Sequence, residues 1–275
     1  MIEKLDYIAG ILDAEGSVRI IKRKDWYGVE IIISNTNLDI INFVTNVYPK
    51  SSVLKHKRFN RKLEYYISFG KNVIIESTFL NDMLSRCNEK YYQLLKVKEI
   101  LEELDLEKKY EIYKEYIFYK KYFMHDLVNI PTDAYLAGIM DGDGWFRIHS
   151  AKGFTKSAIL QLSVGLEQRY KAMVDYISLI DNSKIYNKHV KSINHTQTYS
   201  TQIQNINCEN FLRKLVPFLI EKKDRVDVIL KYIENYKKFK KISKMTLEAY
   251  DREKIKKKYN IKIRLIWNLQ NLKNS

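Results

Sequence analysis

The sequence has 275 residues, 45% of them hydrophobic, and 48 Lys and Arg against 33 Asp and Glu give a formal net charge of +15. That length and apolar share suit two compact domains or one large one and exclude a mainly disordered chain. So strong a positive charge attracts a polyanion, DNA or RNA before a membrane, because no stretch is long or apolar enough to span a bilayer.

Residues 1–6 hold no basic region leading into an apolar core, so secretion is not expected and the chain is placed inside the cell. Cys87 and Cys208 stand far apart with no close Cys partner, which excludes a disulfide framework and a Cys-based zinc site. Three prolines and nine glycines interrupt the chain, so long regular elements are favoured. After a first segment at 7–20, residues 18–22 and 29–34 alternate or run β-branched, as strands do. Residues 38–47 have helical spacing, with Asn37 placed to cap them. Residues 53–59 and 63–69 form a hairpin around Asn60 and Arg61, and a helix spans about 73–84. Residues 91–126, dense in Lys, Glu and Tyr, make one or two long helices. The joint follows at 128–131, where Pro131 disfavours helix in the residue before it.

Residues 135–148 then repeat residues 7–20. Eight of the 14 positions are identical, Tyr7 matching Tyr135, Gly10 matching Gly138 and Asp13 matching Asp141, and five more swap like for like. The offset is 128 residues. The element order repeats too: strands at 145–150 and 159–165, a helix at 170–180, strands at 184–191 and 199–204, a helix at 209–219. The chain is therefore an α+β protein of two tandem, pseudo-symmetric αββαββα domains, at 1–104 and 131–275, joined by a helical linker at 105–130. The stretch from Tyr236, with lysines at 237–238, 240–241 and 256–258, grips phosphates or is a solvated helix face.

Within each repeated segment two small residues lie four apart, Gly10 with Ala14 and Gly138 with Gly142, so each pair makes a smooth stripe on one helix face. Two such stripes let helix backbones approach closely, here across the domain interface. Gly16 and Gly144 stand where these helices end. Glu15 and Asp143 then sit side by side at two helix C-termini, where the carboxylates repel each other and the helix dipoles oppose both. Such a site asks for cations, and Mg²⁺, a hard ion that keeps several waters, suits it. Paired divalent ions activate water and stabilise the leaving oxygen in phosphodiester hydrolysis. Asp13 and Asp141 need not face the metal; they are expected to hold the turn into the following strand or to pair with basic groups across the interface.

Both segments resemble the LAGLIDADG motif, and the whole chain resembles the single-chain, two-motif homing endonucleases of that family. Residues 136–144 are nearly the family consensus, while the first copy starts with Ile8 and has Glu15 where the consensus has Asp. The resemblance implies a monomer with saddle-like antiparallel sheets that cuts both strands of a long DNA site. It implies metal ligation by Glu15, Asp143 and the carbonyls of Ala14 and Gly142, by Mg²⁺ with Mn²⁺ as a substitute. It also implies a lysine near the scissile phosphates after a Pro-Phe-Leu-like segment; Lys222 takes that place after Pro217, Phe218 and Leu219, whereas 84–88 offers no lysine at the matching place.

DNA reading would fall to the strands. With Val18 and Ile20 inward, Arg19 and Arg23 face outward, as do Arg147 and His149 in the second copy. Gln161, Ser163, Ser200, Gln202 and Gln204 extend that polar face, and Lys55 and Lys57 do so in the first half. Arg for guanine and Gln for adenine are the residues that major-groove readout requires. Two other readings stay open, an RNA maturase that helps its host intron splice and a DNA-binding regulator on the same scaffold. A zinc nuclease is disfavoured, because His56, His125, His149, His189 and His195 show no ligand spacing.

Overall fold

The computed structural model describes residues 2–57, 63–121, 126–151, 159–181, 183–188 and 197–245. The first motif forms α1 (Ile2–Glu15), which runs directly into β1 (Gly16–Lys22) and β2 (Tyr27–Asn35). Helix α2 (Leu38–Val47) follows, and Asn37 caps it as expected, its side chain accepting the N–H of Asp39 at 2.8 Å. Then come β3 (Ser52–Lys57) and β4 (Leu63–Gly70), and all neighbouring strands pair antiparallel in the order β1-β2-β4-β3. Val18, Ile20, Ile31, Ile33, Ile67 and Phe69 line the inner face of this sheet and are buried, as are Ile40, Ile41 and Val44 of α2. Each such side chain contributes about 1.5–3 kcal/mol by leaving water.

The helix expected at 73–84 is two, α3 (Lys71–Glu76) and α4 (Phe79–Leu84). Ser77 is extended between them, and its hydroxyl accepts the N–H of Phe79 at 3.2 Å, an alternative to the helical bond that breaks the run. The Lys- and Tyr-rich stretch is likewise two helices, α5 (Tyr91–Glu102) and α6 (Leu106–Lys121). The Glu103 carboxylate accepts the N–H groups of Leu104 and Asp105 at 2.8 and 2.9 Å and so turns the chain. On α6, Tyr116 is buried and donates to the Val18 carbonyl at 2.9 Å, which lays the linker helix against the first sheet.

The second repeat runs α7 (Asp133–Gly142), β5 (Gly144–Ala151), β6 (Ile159–Gln168), α8 (Lys171–Asp181), β7 (Lys184–Lys188) and β8 (Thr198–Gln204), with strand order β5-β6-β8-β7. A 3-10 turn (Asn205–Cys208) leads to α9 (Glu209–Leu215). That helix stops short of the expected 219, because Pro217 has no N–H to continue the ladder. Through Lys223 the two repeats form one unit. A second unit begins at Asp224; its described part is α10 (Lys223–Met245), which carries buried Val226, Ile229, Leu230 and Ile233 at helical spacing. The lysines at 256–258 lie outside the described residues.

α1 and α7 join the repeats. A Cβ on Gly10 would strike the Tyr135 carbonyl and lie 2.9 Å from the Ile139 nitrogen; one on Gly138 would strike the Tyr7 carbonyl and lie 2.9 Å from the Ile11 nitrogen. The backbones themselves are in contact. One turn on, a Cβ on Gly142 would meet that of Ala14, so both small-residue stripes lie in the interface. Gly16 and Gly144 have no positive φ; each is small because a Cβ would strike the carbonyl of Leu12 or Met140.

Candidate active site

The close approach of α1 and α7 carries Glu15 and Asp143 to the same end of the interface. A Cβ on Gly142 would lie 3.1 Å from the Cγ of Glu15. Both carboxyls are held above their usual range. For Glu15 the cause is burial and then Asp143, opposed by Lys222 and Lys90. For Asp143 it is burial, opposed by a 2.8 Å hydrogen bond from Gln168 Nε2 and by the same two lysines. Asp143 lines a cavity of about 550 Å³ with Ala14, Ser17, Lys90, Gln168 and Arg169.

Asp13 and Asp141 are fully buried and do different work. Asp13 accepts the N–H groups of Asn88, Glu89 and Lys90 at 2.6, 3.1 and 2.9 Å and the hydroxyl of Tyr135 at 2.6 Å. Asp141 accepts those of Ile220, Glu221 and Lys222 at 2.7, 3.2 and 2.9 Å and the hydroxyl of Tyr7 at 2.8 Å. They hold turns, but the turns at 88–90 and 220–222 rather than those into β1 and β5, and their partner across the interface is a tyrosine rather than a basic group.

Those turns present one lysine each. Lys222 is 8% exposed, and its ammonium donates to the carbonyls of Met140, Gly142 and Gly144 at 2.8, 3.0 and 2.8 Å. An ammonium has three N–H bonds, and these contacts account for all of them. Lys90 donates to the carbonyl of Asp13 and to Glu89. The first half therefore does have its lysine, two residues beyond the 84–88 stretch that matches the segment before Lys222. The missed signal is the pair Glu89-Lys90, which recurs as Glu221-Lys222 at an offset of 132 rather than 128. Each lysine neutralises the negative end of a motif helix beside the acid pair. Burial also pushes the Glu89 carboxyl up to about 7. Replacing Lys222 by Met leaves three carbonyls without their donor and is expected to cost about 3 kcal/mol. Urea denaturation measures it; an unchanged midpoint contradicts the capping role.

Among the described residues no group of three or more His, Cys, Asp or Glu side chains assembles as a metal site. A cation at the helix ends would draw on two carboxylates, main-chain carbonyls, and oxygens of water or substrate, a donor set that fits Mg²⁺. The Gly142 carbonyl already accepts from Lys222, which leaves it one lone pair.

Strand register sorts the candidate readers. Arg19 pairs with Glu30, and that face continues through Ser68 and Tyr66 to Leu54 and His56. Arg19 lies 3.3 Å from the Ser17 hydroxyl and 3.7 Å from Glu30. Lys55 and Lys57 pair with Tyr65 and Leu63 and fall on the opposite face, exposed because β3 is an edge strand beyond the core. Counting one residue differently along β3 reverses every side chain. Arg23 lies past β1 in the turn, its guanidinium 5.8 Å from the Trp26 ring. In the second sheet Arg147 pairs with Ser163, and Ser163 with Gln204; His149 pairs with Gln161, and Gly165 with Gln202. These positions share one face by register, and Tyr186, opposite Ser200, joins them. Arg147 is exposed and packs 4.8 Å from the Trp145 ring. Ser163 and Ser200 share the face but are only 2% and 8% exposed, too small to rise past their neighbours. The side chains of His149 and Gln161 lie outside the described residues.

No protein-family model matches the sequence, and no curated protein matches it. Solved structures do. The LAGLIDADG homing endonuclease I-LtrWI bound to target DNA is 18% identical, over 95% of this chain and 97% of that one, at a TM-score of 0.62. The meganuclease I-AabMI bound to uncleaved DNA is 15% identical, over 90% and 99%, at 0.63. I-SmaMI bound to cleaved DNA is 15% identical, over 86% and 90%, at 0.63. The chain has the fold of the LAGLIDADG homing endonucleases.

Proposed function

We propose that this chain is a sequence-specific double-strand DNA endonuclease that hydrolyses phosphodiesters with divalent cations, Mg²⁺ in the cell and Mn²⁺ as a substitute. The observation that carries this reading is the acid pair: two helices packed backbone to backbone force Glu15 and Asp143 together, each at the negative end of a helix. That arrangement costs stability unless a cation offsets it. Glu15, Asp143 and the carbonyls of Ala14 and Gly142 would hold the cation, which supplies Lewis-acid chemistry and acidifies water when bound. Lys90 and Lys222 oppose the upward pull of burial on both carboxyls and add positive charge where the scissile phosphates would lie. Gln168 orients Asp143.

The two repeats supply both half-sites in one chain, so the protein acts as a monomer on double-stranded DNA, inside the cell. No helix among the described residues is long and apolar enough to cross a membrane. An intron-splicing role with RNA needs neither carboxylate, and the pair is what favours cutting.

The strand faces read the site. Binding is expected to weaken steeply with salt as neutralised phosphates release counterions. Arg147→Ala is expected to cost about 1–3 kcal/mol on the preferred sequence and to relax preference at one position, measured by titration against single-base variants. An equal loss on every sequence makes Arg147 a phosphate contact instead.

A further inference from the structure

The two half-sites are not equivalent. Gly16 pairs with Ile33 in the first sheet and Gly144 with Leu166 in the second, so two residues further on Asn35 and Gln168 occupy matching places. Their strand partners match as well, Tyr65 and Tyr199. Their side chains do different things. Gln168 donates from Nε2 to Asp143 Oδ2 at 2.8 Å. Asn35 turns its Oδ1 to the N–H of Asn37 at 2.7 Å and serves the entry into α2. Among the described residues no side-chain amide donates to the Glu15 carboxylate; Ser34 reaches only its main-chain oxygen, at 3.5 Å. Glu15 is also one methylene longer than Asp143, with one more torsion to restrain.

A second observation marks Gln168. It is 4% exposed, yet its Oε1 has no hydrogen-bond partner, and it lines the cavity shared with Asp143, Lys90 and Arg169. A buried carbonyl oxygen left unsatisfied destabilises the fold, so it calls for a reason. Here the amide plane is set by its bond to Asp143, which fixes the oxygen as well and keeps it from turning to seek a partner.

We propose that Gln168 is a positioning residue for one half-site only, and that it makes the Asp143 half cut its strand faster than the Glu15 half cuts the other. Cleavage then passes through DNA nicked in one strand. Each cut adds one water across one phosphodiester P–O bond, leaving a phosphate on one side and a hydroxyl on the other. A carboxylate held in one orientation enters that step without first losing freedom, whereas Glu15 must be ordered each time. This inference rests on the endonuclease reading above.

The test is single-turnover cleavage, in magnesium and at saturating protein, of a supercoiled plasmid carrying the joined flanks of the gene's insertion point. Duplexes labelled on either strand give the two rates separately. With wild type, open circles are expected to rise first and then to fall as the linear product accumulates. Gln168→Leu is expected to slow the faster strand at least about 10-fold, leaving the slower strand within about twofold and DNA affinity unchanged. Asn35→Ser, which keeps a hydrogen-bond acceptor for the turn, is expected to change neither rate. Equal strand rates in wild type, or equal slowing of both strands by Gln168→Leu, overturn the inference and leave the endonuclease reading standing. No cutting of either strand by wild type overturns both.

Discussion

Glu15→Gln and Asp143→Asn are each expected to reduce double-strand cutting by at least about 10³-fold while folding and sequence-specific binding persist. An amide keeps the shape of the acid and removes the charge that holds a divalent cation. Survival of the fold follows from the sign of the pKa shifts. Both carboxyls titrate above their usual values when folded, so the folded chain binds protons that the unfolded chain has already released. Ionising these groups therefore costs stability as pH rises above the ordinary carboxylate range. Removing the charge relieves that cost, and at neutral pH both variants are expected to melt no lower than wild type. Gln168 still has an oxygen to donate to in the Asn variant. Calcium is expected to support binding with little cutting, because its longer, looser coordination misplaces the reacting water.

Gly138→Leu is expected to cost more than about 4 kcal/mol and to leave no cooperative unfolding transition. The first atom of any side chain there would strike the Tyr7 carbonyl and press on the Ile11 nitrogen, both main-chain atoms that cannot swing aside. Gly138→Ala is the sharper control. Helix propensity alone favours Ala over Gly by about 1 kcal/mol, so a loss of stability in this variant reports the interface and nothing else. Circular dichroism against urea gives both results. A Gly138→Ala variant more stable than wild type means that α1 and α7 are not packed through these glycines.

Legibility in the sequence followed the length scale of each feature. The repeat at 7–20 and 135–148 was plain because close backbone packing and a paired acid site constrain many neighbouring positions at once. From it came the α+β halves, the contact of Gly10 with Gly138 and the pairing of Glu15 with Asp143. Asn37 was readable because a cap is a local device. Features set by tertiary hydrogen bonds were not. Lys90 reaches the site only because Asp13, 77 residues away, gathers three N–H groups of its turn. The break at Ser77 depends on one hydroxyl choosing the main chain over solvent. The face of Lys55 and Lys57 is not legible in the sequence, because β3 has no buried residue to anchor its alternation; the pairing of Lys55 with Tyr65 sets it instead. Burial of Ser163 could not be read from a polar alternating pattern, since neighbouring side chains do the covering.

The most direct test is cleavage of the joined flanking DNA by the purified chain in magnesium, beside the double variant Glu15→Gln/Asp143→Asn. The expected result is a linear product at one position with wild type and uncut plasmid with the variant. A gel shift on the same DNA is expected to show both proteins bound. Equal cutting by the two proteins would make the carboxylates structural, and the endonuclease site would have to lie elsewhere.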